Sequence, residues 1–460
     1  FISDFKFSTD QIVLIILLGF GSLSIFSGLF RLLTLWLNEN SAALIGNEIS
    51  LKALDKTLKQ PYEIHIFRDR NYVINSISYQ VGVLVDGVKT ILQIVNSIFI
   101  TIGIVIALIK IDYLIAISVA LFFISIYLIL SLLVKKKLKR YGRIISQSNE
   151  NNLKILRDSL SSIREILINN THNKYLKDFF YFDKSLRINQ AKTNFISLSP
   201  RIIFETIGIC IIAFLGCIIY LKKGYSSQIF PILGALALGA QKLLPSLQQI
   251  FAGWAILNSS KEAISNVVKL LNQPDYSSDY ALKNINLIGE FIFKMKNVTY
   301  SYSDNRDNVF SNFNLEFKNG ERIGIIGKTG SGKSTIMDMM MGLIKPKDGS
   351  IIINSENLHE PRNSDLRRRW KNSIATVPQE IYLSNTTILE NIAFSETNNI
   401  DIEKAISAAK QTKIHGFINK LKMGYQTCVG ENGINMSGGQ IQRIAIARAL
   451  YKSPKILFLD

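Results

Sequence analysis

Long apolar stretches alternate with basic, polar segments over the first 260 residues. Five stretches are almost free of charge and predict membrane-crossing helices, because a helix needs about 20 apolar residues to cross the hydrocarbon. We place these spans at about residues 11–36, 88–110, 112–134, 202–221 and 228–256. The alternative is a set of buried core helices in a large soluble protein, which five such stretches in close succession disfavour.

A basic segment predicts the orientation of these spans. Residues 135–140 carry five Lys or Arg directly after the third span, and basic loops remain on the cytoplasmic side. We therefore expect residues 38–89 and the chain after 256 on that side as well. This predicts a multi-pass protein of the cell (inner or plasma) membrane, surrounded by lipids. It also places Phe1 outside, so we expect a further span ahead of it.

The segments 38–89 and 135–201 are long and have helical periodicity. We expect them to extend the spans below the membrane, with short crossing helices near Pro61–Arg70 and Lys174–Lys184 that contact the soluble domain. Plain amphipathic loops are the alternative.

Charged residues within an apolar span are paired or functional. Arg201 and Glu205 are four residues apart and predict a local ion pair. Lys242, with Pro245 nearby, interrupts the last span. A kinked helix that turns the Lys242 ammonium toward a cavity would suit an anionic substrate, whereas a lysine that reaches the membrane surface needs no function.

The composition changes after residue 272. We predict a transmembrane domain over 1–272, a polar linker over 273–289, and a soluble α/β domain over 290–460. In that domain Phe291–Tyr302 alternates like a strand, and Arg322–Ile326 is an apolar, β-branched run typical of a buried strand. Ile336–Met341 predicts a helix.

Between that run and that helix lies the motif G-x-x-x-x-G-K-S. Its residues are Gly327, Lys328, Thr329, Gly330, Ser331, Gly332, Lys333, Ser334 and Thr335. Glycines on a strand-to-helix turn let backbone N–H groups approach an anion. Lys333 can reach the β- and γ-phosphates and Ser334 can bind Mg²⁺. The motif in this context predicts a phosphate loop rather than a glycine-rich surface turn.

A second glycine-rich helix start, Ser437, Gly438, Gly439 and Gln440, precedes a good helix-forming run. It also suits an anion. One triphosphate is not easily enclosed by both helix starts within one compact domain, so we infer that this second site completes a nucleotide held by a partner subunit. Asp460 ends the apolar run Ile456–Asp460 and fits a Mg²⁺-binding acid. Gln379 and Tyr302 are weaker candidates for Mg²⁺ and for the adenine face.

The net charge of +18 fits the basic loops of a membrane protein, and no RNA- or DNA-reading motif is present, so we expect no nucleic-acid partner. Cys210, Cys217 and Cys428 form no C-x-x-C pair, and the histidines lack the spacing of metal ligands.

Together, residues 290–460 resemble the nucleotide-binding domain of an ABC transporter, and Thr427–Gly433 resembles a segment of its exporter-type members. The resemblance implies that Tyr302 stacks on adenine. It implies that the ATP phosphates and Mg²⁺ contact Lys333, Ser334, Thr335, Gln379 and Asp460. Of these, Lys333, Gln379 and Asp460 would be catalytic. The metal ligands would be Ser334, Gln379 and Asp460. Ser437–Gln440 would close on the ATP of the other subunit.

Two features depart from the family pattern. Met436 stands where leucine is usual. The family's catalytic glutamate follows the aspartate directly, and its switch histidine comes later, so we expect the domain to continue past Asp460 and this chain to lack the catalytic glutamate. Residues 199–208 and 242–245 resemble, more loosely, flippases of lipid-linked oligosaccharides and related polysaccharide exporters.

The predicted fold is therefore an all-α transmembrane bundle followed by an α/β P-loop NTPase domain. The function it implies is that of an ATP-driven half-transporter that pairs with a second half, in a homodimer or a heterodimer. The expected cargo is a lipid-linked oligosaccharide or polysaccharide precursor, with a peptide or hydrophobic compound as the alternative. A non-hydrolysing nucleotide-binding regulator of a membrane complex is the alternative from another class.

Overall fold

The computed structural model describes residues 9–110, 113–223, 229–274, 276, 289–302, 307–394 and 400–460. The chain divides into two compact units. The first contains Phe1–Leu58 and Arg68–Pro274, and the second contains Lys59–Phe67 and Asp275–Asp460. The second unit thus includes a short segment from the N-terminal half, in addition to the predicted soluble domain.

Helices make up the first unit. They are α1 (Thr9–Leu58), α3 (Arg70–Asn75), α4 (Val81–Ile109), α5 (Tyr113–Ser161), α6 (Ile163–Asn169), α7 (His172–Lys223), α8 (Ile229–Ser259) and α9 (Lys261–Leu271), with a π-helical turn Ser76–Gln80 between α3 and α4. Each of the five predicted spans falls on a separate long helix. Their crossing of a membrane remains a prediction.

Two helical stretches in the described part of the chain, Val13–Leu58 and Arg70–Ile109, are long and apolar enough to cross a membrane. Along α1 the apolar side chains point outward, and Leu17, Phe20 and Leu23 are 64%, 73% and 69% exposed. A long, exposed apolar surface of this kind suits hydrocarbon rather than water.

Polar side chains pair inside the helical unit around the π-helical turn. The Asn149 amide donates to the Asn75 side-chain oxygen at 2.7 Å, and the Gln80 amide donates to the Ser146 hydroxyl at 3.2 Å. The predicted ion pair between Arg201 and Glu205 is confirmed, with Nε and Oε2 3.8 Å apart.

Helix α8 continues through Pro245 without interruption. The side chain of Lys242 lies outside the described residues, and so does most of the predicted linker.

The second unit has two sheets. Its strands are β1 (Ile292–Tyr300), β2 (Phe310–Lys318), β3 (Asp348–Ile353), β4 (Glu356–Asn357), β5 (Ile374–Val377) and β6 (Ile456–Leu459). One sheet is antiparallel in the order β2-β1-β3-β4, with Phe293 opposite Phe317 and Ile353; the other pairs β5 and β6 in parallel, with Ile374 opposite Ile456. The predicted fold class, helices followed by an α/β domain, is confirmed.

The helices of this unit complete two cores. They are α2 (Tyr62–Phe67), α10 (Lys333–Met340), α11 (Ser364–Ser373), α12 (Ile388–Ala393), α13 (Ile402–Gln411), α14 (His415–Ile418) and α15 (Gly438–Tyr451). The first core joins Phe293, Met339, Trp370 and Phe458 from the sheets, α10 and α11. The second is mainly helical and contains Ile388, Ala405, Ile418 and Ile444. The two glycine-rich helix starts, ahead of α10 and α15, therefore lie on two separate hydrophobic cores.

The predicted strand Arg322–Ile326 is not a strand in this structure. The segment is irregular, and Ile326 is 98% exposed. An apolar run becomes a strand only where a neighbouring strand accepts its backbone hydrogen bonds, and among the described residues none pairs with it.

The first predicted crossing helix is confirmed by α2. Its Glu63 carboxylate accepts a hydrogen bond from the backbone N–H of Lys345. The second prediction, Lys174–Lys184, is wrong in position because that segment lies inside α7. The chain turns earlier, where Asn170 takes a left-handed conformation with φ 52° after α6. Asparagine tolerates that conformation better than most residues.

Candidate nucleotide-binding site

The phosphate loop is shaped by glycines in left-handed backbone conformations. Gly330 has φ 82° and Gly332, directly ahead of α10, has φ 88°. A Cβ atom on Gly332 would lie 2.5 Å from Cγ1 of Val309, whereas one on Gly330 would meet nothing within 4 Å. Gly332 is thus required for both its conformation and the space it leaves, and Gly330 for its conformation.

Lys333 is the first residue of α10 and folds back over the loop. Its ammonium donates to the carbonyls of Gly327 and Lys328, each at 3.0 Å. The loop residues from Gly327 to Ser331 are exposed, and so is Ser334. Free N–H groups at the start of α10, an accessible loop and a cation within it fit a phosphate chain.

Gln379 and Asp460 follow neighbouring parallel strands. Val377, the last residue of β5, lies opposite Leu459 in the last pair of the register, and the N–H of Asp460 donates to the Val377 carbonyl at 3.1 Å. Both Gln379 and Asp460 are exposed at this common edge. Amide and carboxylate oxygens are the ligands that Mg²⁺ prefers, so this edge and Ser334 offer a suitable donor set.

The edge that carries Asp460 lies near Asp338 of the phosphate-loop helix α10. Burial raises the pKa of its carboxyl to about 6, and the negative charge of Asp460 adds to the rise. The end of β6 and α10 also share one hydrophobic core, through Phe458 and Met339. The structure therefore brings the phosphate loop and Asp460 together.

Tyr302 is tied to the phosphate-loop helix as well. Its hydroxyl oxygen lies 2.7 Å from that of Thr335, and the two share a hydrogen bond. Thr335 is 5% exposed, so its hydroxyl needs such a partner. The aromatic rings of Tyr300 and Tyr302 meet edge-to-face with centroids 5.2 Å apart.

Ser437, Gly438, Gly439 and Gln440 form the start of α15, on the second core. The Gln440 side chain accepts a hydrogen bond from the Ser437 N–H at 2.8 Å, in a capping-box arrangement. Ser437, Gly438 and Gly439 are exposed. Within the described part of the domain, no hydrogen bond joins this group to Gly327–Thr335. In one copy of the chain, the two glycine-rich helix starts thus lie on different hydrophobic cores and share no hydrogen bond among the described residues.

The part of the chain that carries these motifs matches a known family. The ABC transporter family model matches residues 310–460, a third of the chain, with the phosphate loop, Gln379, Ser437–Gln440 and Asp460 inside the match. Residues 310–460 form an ABC transporter domain. The site residues themselves and the bound metal remain predictions from sequence and geometry.

This domain is also similar to curated proteins whose names refer to leukotoxin translocation. The chain is 40% identical over 198 residues to the leukotoxin translocation ATP-binding protein LktB of Mannheimia glucosida, and 39% identical to that of Mannheimia haemolytica. Each alignment covers 43% of this chain and 27% of the relative. The chain thus spans about a quarter of the length of these curated relatives.

Among solved structures, a bacterial Atm1-family ABC exporter with ATP bound is similar over almost the whole chain. The TM-score is 0.78, with 19% sequence identity, 97% of this chain covered and 77% of the other. At that identity the likeness shows the fold alone. It extends the shared fold beyond the ABC transporter domain to the helical unit in front of it.

Two residues of the site were not predicted from sequence. Phe67 of α2 lies with its ring centroid 6.2 Å from that of Tyr302, edge-to-face, and Glu63 of the same helix accepts the hydrogen bond from Lys345. The sequence placed a contact helix near Pro61–Arg70, but it gave no signal for which side chains would meet the site, since the partners are more than 200 positions apart.

Proposed function

We propose that this chain is one half of an ATP-driven exporter, and that each ATP is held between Gly327–Thr335 of one copy and Ser437–Gln440 of a second. The supporting observation is that the two glycine-rich helix starts stand on separate hydrophobic cores with no hydrogen bond between them in the described domain. Each helix start supplies unpaired N–H groups that suit an anion, and a second copy brings the two kinds together.

In this proposal each site residue has one task. The Lys333 ammonium exchanges its two backbone carbonyls for phosphate oxygens, which offer a stronger, charge-assisted hydrogen bond. Tyr302 stacks on the adenine, and Thr335 lies beside it at the phosphate loop. Ser334, Gln379 and Asp460 hold Mg²⁺, which neutralises phosphate charge when it is bound. Gln379 and Asp460 share the edge formed by β5 and β6, so one movement of that edge shifts both ligands.

The closing and opening of two nucleotide-binding domains would then drive the helical unit. ATP binds better to the closed pair than to separated domains, and this difference supplies the work. Helix α2 carries the movement, because it packs in the second unit and short segments link it to α1 and α3 of the first. The partner is a second half-transporter, in a homodimer or a heterodimer, with the long helices of each copy crossing the cell membrane several times.

Two cargo classes have separate support. The resemblance of residues 199–208 and 242–245 to flippases favours a lipid-linked oligosaccharide or polysaccharide precursor. The LktB relatives are named for leukotoxin translocation, which favours a polypeptide. Stimulation of ATP hydrolysis separates the two classes. A lipid-linked oligosaccharide would stimulate in the first case and an unfolded polypeptide in the second, with plain phospholipid as the control.

Hydrolysis also separates the exporter from a nucleotide-binding regulator. The intact gene product in lipid nanodiscs should hydrolyse MgATP, and the activity should disappear in Lys333→Ala but persist in Lys296→Ala, a change at an exposed lysine of β1. Binding of MgATP without hydrolysis in the intact gene product would contradict the exporter and favour the regulator.

A further inference from the structure

Tyr302 is held from three sides, and one of them comes from outside the ABC transporter domain. Its hydroxyl bonds to Thr335 at the phosphate loop, and its ring meets Tyr300 of β1. The third contact is the Phe67 ring, at 6.2 Å between centroids and an interplanar angle of 76°. Edge-to-face pairs with this spacing are attractive, so Phe67 restrains the plane of the Tyr302 ring.

The helix that carries Phe67 is itself anchored. Glu63, one turn earlier in α2, accepts the hydrogen bond from the Lys345 N–H. The Glu63 carboxylate also lies near Tyr300, whose pKa rises to about 12 mainly through burial, with the Glu63 charge adding to the rise. Glu63 and Phe67, near the two ends of α2, thus hold this helix against Tyr300 and Tyr302 at the end of β1.

We propose that Phe67 is a positioning residue for the nucleobase: α2 sets the orientation of the Tyr302 ring, and through it the affinity for the base but not for the phosphates. The proposal rests on the function proposed above, since it needs Tyr302 to stack on a base. A stacking surface binds well only when its plane is fixed before the base arrives. Because α2 joins α1 to α3, the helical unit would act on nucleotide binding through the base.

The test compares two ligands that differ only in having a nucleoside. Mg²⁺ complexes of ATP and of tripolyphosphate are titrated against the full chain in nanodiscs. In Phe67→Ala and Phe67→Leu we expect ATP affinity to fall about two- to tenfold, the range for one aromatic pair, while tripolyphosphate affinity stays unchanged. Phe67→Tyr, which keeps the ring, should retain wild-type affinity for ATP.

A double-mutant cycle tests whether the effect passes through Tyr302. In the Tyr302→Leu background Phe67→Ala should have no further effect on ATP, because the ring that it positions is gone. An additive loss in the double variant would overturn the proposal. So would unchanged ATP affinity in Phe67→Ala, or an equal loss for both ligands, which would show a general disturbance of the fold.

Failure of the proposed function gives a different result. If the wild-type chain binds neither ligand, or if Lys333→Ala binds both as well as the wild type, the phosphate-loop assignment fails. The positioning role alone fails in a different case. There the wild type binds ATP and tripolyphosphate, Lys333→Ala weakens both, and the Phe67 variants bind both ligands as the wild type does.

Discussion

The backbone N–H of Asp460 donates to the carbonyl of Val377, 3.1 Å away. This bond ends the short parallel sheet and leaves Gln379 and Asp460 exposed at one edge. Phe458 of β6 and Met339 of the phosphate-loop helix α10 belong to one hydrophobic core, so that edge lies near the helix. The Asp460 charge accordingly adds to the effect of burial in raising the pKa of Asp338 to about 6. Residues far apart in sequence thus converge on one site that suits a metal and a phosphate chain.

Replacing the phosphate-loop lysine tests this convergence. Lys333→Ala should weaken MgATP binding roughly 10- to 100-fold, since a charge-assisted hydrogen bond contributes about 1.5–3 kcal/mol. Calorimetric titration measures the affinity. Lys296→Ala, at an exposed lysine on β1, is the matched control and should bind as the wild type does. Equal affinity of Lys333→Ala and wild type would refute the role of Lys333.

The two left-handed glycines of the loop should respond differently to the same change. Gly330→Ala should cost about 1–2 kcal/mol of stability, because alanine is strained at φ 82°. Gly332→Ala should cost more, since its Cβ would also collide with Val309. Thermal unfolding and ATP titration of the two variants check the order. A Gly332→Ala variant as stable as Gly330→Ala would show that the loop is not packed against Val309.

Replacing Ser437 should affect ATP hydrolysis but not ATP binding by a single copy. In the intact gene product, Ser437→Ala should lower the rate of ATP hydrolysis and leave ATP binding by separated copies unchanged, because Ser437 acts on a nucleotide held by the partner. The change also removes a helix cap, which costs about 1 kcal/mol.

Thr387→Ala provides the matched control for that cap. Thr387 caps α12 on the same core, and its hydroxyl accepts from the Glu390 N–H at 3.2 Å. This variant should lose similar stability and keep its hydrolysis rate. Loss of ATP binding in separated Ser437→Ala copies would contradict a role in trans.

Sequence patterns correctly predicted those elements whose formation depends on residues close together in the chain. The alternation in Phe291–Tyr302 became β1, and the alanine- and arginine-rich run capped by Ser437 became α15. The pattern failed where distant partners decide. Arg322–Ile326 has no strand beside it in the described domain, and the second turn of the helical unit falls at α6 rather than Lys174–Lys184. The contacts of Tyr302 with Thr335 and Phe67 depend on tertiary packing, which periodicity does not encode.

His359 predicts a pH dependence of stability. Burial, together with the positive charges of Arg367, Lys345 and Lys371, lowers the pKa of its imidazole to about 4. Its Nε2 has no hydrogen-bond partner in the described structure. In the unfolded chain the ring takes up a proton near pH 6.5, whereas in the folded domain it stays neutral. The contribution of His359 to the free energy of unfolding should therefore fall as pH drops from about 6.5 to 4, by on the order of 3 kcal/mol. Asp338, whose carboxyl has its pKa raised to about 6, acts in the opposite direction over this range, so the difference between wild type and His359→Leu isolates the imidazole.

Thermal or denaturant unfolding across that pH range checks this contribution. His359→Leu should remove the part of the pH dependence between 6.5 and 4. His172→Leu, at an exposed position at the start of α7, should leave it in place. If wild type and His359→Leu lose the same stability on acidification, His359 is not the titrating group.

The account depends most directly on two copies pairing around ATP. Ser331→Cys in one tagged copy and Gly438→Cys in a differently tagged copy, with Cys210, Cys217 and Cys428 replaced, place one thiol at each helix start. We predict that MgATP, under conditions that block hydrolysis, produces a disulfide between the two tags, and that Lys333→Ala prevents it. Undiminished MgATP binding without any cross-link between copies would contradict the account.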